Sequence, residues 1–229
     1  MGDIYLVRHG QASFGADDYD NLSARGEEQC HRLGQHMKGF IKPEVMLSGQ
    51  HRRHRQSLAS FCEGADFNPN KENELADFNE FDHEQVLFKA FPHLVTKQDI
   101  ALELASSPDP RKRFHQMFQQ SVERWISGNH DQEYSESWQT FQVRCIQGLT
   151  TCIEQYASKG PIMVFTSGGP VAAITQHVLG LTDKATFELN ENLVNSGVTR
   201  LRFNKNRASL SYLNSFGHLE QQPNLITYR

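Results

Sequence analysis

Residues 3–8 place Ile4, Leu6 and Val7 in one short run that leads straight into Arg8-His9-Gly10. Such a run reads as a buried strand, and the glycine after it marks a loop. Ser23 offers an N-cap for a following helix whose apolar stripe is Cys30, Leu33, Met37 and Phe40. Pro43 ends that unit, and Val45-Met46-Leu47 forms the next short strand. Strand, helix and strand within about fifty residues open a parallel α/β sheet.

The rest of the chain extends that beginning. Phe114, Met117, Phe118, Val122, Trp125 and Ile126 follow helical spacing, as do Trp138, Phe141, Cys145, Leu149, Cys152 and Tyr156 on a long helix starting near Ser137. A strand over 162–165, a Thr166-Ser167-Gly168-Gly169-Pro170 turn and a helix over 171–179 follow, and Gly180 stops that helix. Strands over 198–203 and 209–213 flank an Asn204-Lys205-Asn206 turn. Residues 63–109 are polar and irregular, with Pro69, Pro92 and Pro108, and read as an excursion from the sheet. The expected fold is a three-layer α/β/α arrangement with a mostly parallel central sheet. It spans 1–229 as one domain, with a helical or irregular lid insertion at about 61–130.

Composition narrows the partners. The 229 residues carry 23 Lys+Arg against 27 Asp+Glu, a net charge of −4. That excludes a globally basic nucleic-acid coat and a polyacidic tail. The basic block His51-Arg52-Arg53-His54-Arg55 has no interleaved aromatic residue. No apolar run approaches the roughly 18 residues of a membrane helix, and Met1-Gly2-Asp3-Ile4-Tyr5 has no signal-peptide character. The expectation is a cytoplasmic protein with no nucleic-acid or membrane partner; monomer and dimer read alike. Cys30, Cys62, Cys145 and Cys152 read as core thiols. The eleven histidines show no zinc-site spacing, so neither metal nor cofactor is expected.

The chemistry-bearing residues sit in loops after strands, where open α/β sheets bind ligands. Arg8 brings a fork for phosphate oxygens, and His9 can serve as nucleophile or base. The second strand is followed by Arg52-Arg53-His54-Arg55. The 166–169 turn opens a helix whose backbone N–H groups suit an anion. Three loops therefore converge on a phosphoester site.

At this point the chain resembles the histidine phosphatase superfamily, the phosphoglycerate-mutase-like group. The resemblance rests on Leu6-Val7-Arg8-His9-Gly10-Gln11, on Leu22-Ser23-Ala24-Arg25-Gly26 with Gln29 and Leu33-Gly34, and on Arg53 with Gln56-Ser57. Asn79-Glu80-Phe81-Asp82, Glu136-Ser137-Trp138 with Phe141 and Arg144, and Asn195-Ser196 with Val198-Thr199 continue it in order. It implies a metal-independent phosphatase acting on a small-molecule phosphoester. His9 would form a phosphohistidine, Arg8 and Arg53 would clamp the phosphoryl oxygens, and Glu80 (next choice Asp82) would protonate the leaving oxygen.

One motif departs from the family pattern. After the 162–165 strand the family carries Ser/Thr-His-Gly, and its histidine contacts the phosphoryl group; here Ser167 stands in that place, followed by Gly168. Losing such a donor typically costs about 10²–10³ in rate. His51, His54 or Arg55 leaning into the pocket would compensate. The alternative is a catalytically impaired phosphate-binding or regulatory module. A mutase is disfavoured, because the Arg-x-Tyr-Gly element usual in the family's mutases is missing between Glu80 and Trp125.

Overall fold

The computed structural model describes residues 2–13, 20–69, 72–156, 158–204 and 207–228. In chain order the elements are β1 (Gly2–Arg8), α1 (Ala24–Met37), β2 (Val45–Ser48), α2 (Arg52–Ala65), β3 (Glu72–Glu74), α3 (His83–Ala90), α4 (Lys97–Ala105), α5 (Pro110–Ile126), α6 (Trp138–Tyr156), β4 (Ile162–Thr166), α7 (Gly168–Leu179), α8 (Asp183–Asn192), β5 (Val198–Asn204) and β6 (Arg207–Ser215). The six strands form one sheet in the order β3-β2-β4-β1-β5-β6. β1 with β4, β2 with β4 and β2 with β3 run parallel, while β5 pairs antiparallel with both β1 and β6. The mixed, mostly parallel α/β sheet expected from the sequence is present. Lys205 and Asn206 of the expected last turn lie outside the described residues.

The chain divides into two compact units, Met1–Glu80 with Arg144–Arg229, and Phe81–Val143. In the first, the pleat sorts the strand residues. Tyr5, Val7, Met46, Met163, Phe165 and Val198 share a core with Leu33 and Met37 of α1 and Leu58, Phe61 and Cys62 of α2. Their alternates Ile4, Leu6, Leu47, Ile162, Val164 and Leu201 are equally buried, as a sheet covered on both faces requires. Ser23 caps α1 by accepting from the Gly26 N–H at 3.1 Å. Helices α1 and α2 meet backbone to backbone: a Cβ on Gly34 would stand 2.1 Å from the Phe61 carbonyl oxygen, and one on Gly64 1.9 Å from that of His31. All four cysteines are buried thiols outside any disulfide.

In the second unit, two capped helices, α3 and α4, stand within the stretch read as irregular from 63–109, and α5 follows where the spacing is helical. Asp82 caps α3, Thr96 and Asp99 form a reciprocal capping box on α4, and Asp109 caps α5 with Pro110 at its first position. Leu87, Leu94 and Met117 form its core. Pro69, Pro92 and Pro108 all fall between elements, so they punctuate this region without preventing helices. Residues 61–65 finish α2 and belong to the first unit. No helix among the described residues is long and apolar enough to cross a membrane.

Candidate active site

β1 and β4 lie side by side and parallel, with Arg8 in register with Thr166. Their carboxyl ends therefore deliver Arg8-His9 and Thr166-Ser167 to the same edge. The His9 N–H donates to the Thr166 carbonyl at 2.8 Å, and the His9 carbonyl accepts from Asn195 Nδ2 at 3.2 Å and the Ser196 N–H at 3.3 Å. The Gly10 N–H donates to Ser57 Oγ at 3.0 Å, and that hydroxyl donates onward to the Arg53 carbonyl at 2.7 Å. The β1 loop is thus tied to β4, to the 195–196 turn and to α2.

This scaffold fixes the His9 ring. Nδ1 lies 2.7 Å from the Gly10 carbonyl oxygen. A carbonyl only accepts, so Nδ1 carries the proton and Nε2 keeps its lone pair. Burial, followed by the charges of Arg53 and Arg8, holds the His9 pKa well below its ordinary value, although the Gly10 bond opposes the shift. His9 is therefore a neutral imidazole at pH 7 with a directed, unprotonated Nε2.

Two arginines supply the charge. The Arg8 Nη1 donates to the Leu193 carbonyl. A Cβ on Gly168 would sit 2.3 Å from Asn190 Oδ1, so the bare residue makes room for that amide, and Arg8 Nε would stand at ordinary contact distance, 3.6 Å. Arg53 is buried in the first turn of α2, with Nη1 2.7 Å from Asp20 Oδ1. Asp20 also accepts the Arg52 N–H at 2.8 Å. Its carboxylate therefore balances a helix start that carries two arginines and no acid. Sequence reading missed Asp20; its one signal was an acid with a basic block thirty residues later.

The candidate acid and the 166–169 turn meet at α7. Glu80 Oε2 accepts the Gly169 N–H at 3.2 Å, bringing the carboxylate to the same helix N-terminus as Ser167 and Gly168. The segment leading to Glu80 is held by Arg144, whose Nη1 donates to the carbonyls of Ala76, Asp77 and Asn79 at 3.0, 3.1 and 3.0 Å. Asn79 Oδ1 accepts the Gln50 N–H at 2.6 Å. Asp82, the other candidate acid, spends its carboxylate on the Gln85 N–H at 2.9 Å as the α3 cap. Each carboxylate thus accepts one helix-start N–H, and Glu80 is the one at the start of α7.

Of the three residues that could compensate for Ser167, one touches it. His54 is completely buried, with Nε2 2.7 Å from Ser167 Oγ and its ring centroid 5.7 Å from that of His9. His51 sets its ring edge-on against His54 at 5.1 Å. Arg55 turns away, donating to the Gln50 carbonyl at 2.9 Å and pairing with Glu74 at 3.4 Å. Among the described residues no three His, Cys, Asp or Glu side chains gather in a metal-holding group.

The profile of the histidine phosphatase superfamily (branch 1) matches residues 4–99 and 102–215. Among solved structures the chain is similar to phosphoglycerate mutase from Bacillus anthracis str. Sterne, at 14% identity and a TM-score of 0.67 over 95% of each chain. It is similar to phosphoserine phosphatase from Entamoeba histolytica, solved with 3-phosphoglyceric acid, at 17% identity and a TM-score of 0.64 over 96% of this chain and 100% of that one. A mycobacterial glucosyl-3-phosphoglycerate phosphatase aligns at 15% identity and a TM-score of 0.60 over 94% and 99%. No curated protein matches by sequence. With the family profile covering nearly all of it, the chain belongs to the histidine phosphatase superfamily.

Proposed function

We propose that this protein hydrolyses small phosphomonoesters without a metal, through a phosphohistidine on His9. The observation that carries this reading is the His9 ring itself: Nδ1–H is bound to the Gly10 carbonyl, and the lone pair on Nε2 is left for phosphorus. A neutral imidazole between two guanidinium groups is a nucleophile that needs no prior deprotonation.

In the first step Nε2 attacks phosphorus, the P–O bond to the leaving group breaks, and Glu80 gives its proton to the departing oxygen. In the second, Glu80 as carboxylate takes a proton from water. The resulting oxygen attacks phosphorus, and the N–P bond breaks to return neutral His9 and inorganic phosphate. Arg8 and Arg53 neutralise charge on the non-bridging oxygens throughout.

Hydrolysis of p-nitrophenyl phosphate in EDTA tests this. Wild type should turn over and leave an acid-labile phosphoenzyme on quenching, and His9→Ala should lose both. Turnover that survives in His9→Ala would overturn the phosphohistidine route. Phosphate binding without turnover in wild type would favour the non-catalytic module instead.

A further inference from the structure

We propose that the Ser167 hydroxyl and the His54 imidazole together replace the second pocket histidine of the family, with Ser167 touching the phosphoryl oxygen and His54 acting behind it as a positioning residue. This rests on the reading of the site as a phosphoryl-transfer pocket.

Ser167 stands at the N-cap of α7 with extended backbone, where a serine ordinarily accepts from the second or third helical N–H. It makes no such bond. Its Oγ lies instead 2.7 Å from His54 Nε2, a residue 113 positions earlier. Something other than helix capping therefore fixes this hydroxyl.

The proton between the two atoms has a preferred side. His54 Nδ1 is buried and has no hydrogen-bond partner. It faces Gly49, where a Cβ would come within 2.3 Å of it. A proton on Nδ1 would bury an N–H donor with nothing to receive it, the costlier kind of orphan. The proton on Nε2 leaves Nδ1 bare and donates to Ser167 Oγ. Burial, with the charges of Arg53 and Arg55, keeps the ring neutral, so a single proton is at stake. With its oxygen already accepting from His54, the Ser167 hydroxyl directs its own hydrogen elsewhere. Among the described residues it has no second partner.

That outward hydrogen belongs to the pocket. Ser167 follows Thr166, whose carbonyl holds the His9 N–H at 2.8 Å, and precedes Gly168, beside Arg8. The donor chain His54 to Ser167 to phosphoryl oxygen is polarised in one direction, so each bond strengthens the next. The family places its imidazole on the β4 loop; here the imidazole comes from α2, and a hydroxyl carries its polarity across. No proton changes hands, and no bond forms or breaks in this pair.

Two single variants, their combination and one rescue test the pair, read by kcat and KM on p-nitrophenyl phosphate and by calorimetric binding of orthovanadate and inorganic phosphate. Ser167→Ala and His54→Leu should each lower kcat by about 10²–10³-fold with a much smaller change in KM. Each should weaken vanadate more than phosphate. The double variant should fall no further than either single, as groups acting through one contact do. His54→Gln, which restores a donor near Nε2, should recover most of the loss in folded protein; a merely space-filling histidine would be served equally by leucine. Losses that multiply in the double variant, or a His54→Leu with unchanged kcat and vanadate affinity, would overturn the pair. If turnover depends on His9 while these variants are silent, the pair alone fails. If wild type binds neither oxyanion, the pocket reading fails with it.

Discussion

Two helix N-termini meet the candidate site, and each receives a carboxylate from elsewhere in the chain, yet the two are built differently. At α2 the first turn carries Arg52, Arg53 and His54, no side-chain cap is present, and Asp20 takes the Arg52 N–H while pairing with the Arg53 guanidinium. At α7 the first turn is Gly168-Gly169-Pro170, and Glu80 takes the Gly169 N–H at a longer 3.2 Å. A cationic helix start set against the positive end of the helix dipole needs a fixed negative partner. A glycine start makes no such demand. Asp20 is therefore placed to hold Arg53, whereas Glu80 holds only a backbone N–H, which suits the acid–base role proposed for it.

The largest test of this difference is Glu80→Gln, which should lower kcat by about 10²–10⁴-fold. The loss should be greater for an alkyl phosphate than for p-nitrophenyl phosphate, whose leaving group needs less protonation; equal losses would contradict the assignment. Arg144→Ala should follow, at about 10²-fold in kcat, because a carboxylate displaced by an ångström loses its geometry. A crystal structure of that variant should show residues 76–80 moved; a moved segment with full activity would detach Glu80 from catalysis.

Acid sharpens the contrast in stability. The buried His54 and His9 titrate well below 6.5 when folded, and His218 is pushed down to about 4 by burial. The unfolded chain therefore binds protons first, so this stability is complete above about pH 6.5 and is lost as pH falls toward 4. Urea midpoints measured between pH 7.5 and 4.5 should decline across that interval; a flat profile would mean these rings are hydrated or paired. The smallest effect belongs to Asp20→Asn. It should cost about 1 kcal/mol of stability and leave kcat closer to wild type than either Glu80→Gln or Arg144→Ala, as thermal melts and initial rates would report.

Much of this was legible in the sequence where neighbours in the chain are neighbours in space. Arg8 and His9 announce themselves because strand and loop chemistry occupy adjacent positions, and Ser23 because a cap acts only three residues ahead. The helices α3 and α4 were harder. They are eight and nine residues long, and α4 buries none of its residues fully, so its apolar period is weak and its caps carry the signal. Between Glu80 and Asp82 the difference is which helix start each carboxylate meets, that of α7 or that of α3, a fact of backbone geometry. The Asp20–Arg53 pair and the His54–Ser167 contact span 33 and 113 positions; nothing in local pattern joins them.

Gly49 makes room for the His54 imidazole. A methyl group there would stand 2.3 Å from His54 Nδ1 and 2.8 Å from the Phe78 carbonyl oxygen. An imidazole at 167 would contend with His54 for the space the serine hydroxyl now shares with Nε2. Positions 49, 54 and 167 are therefore coupled by space: a histidine at 54 needs a bare residue at 49 and a small one at 167, and the Phe78 carbonyl makes the same demand of position 49.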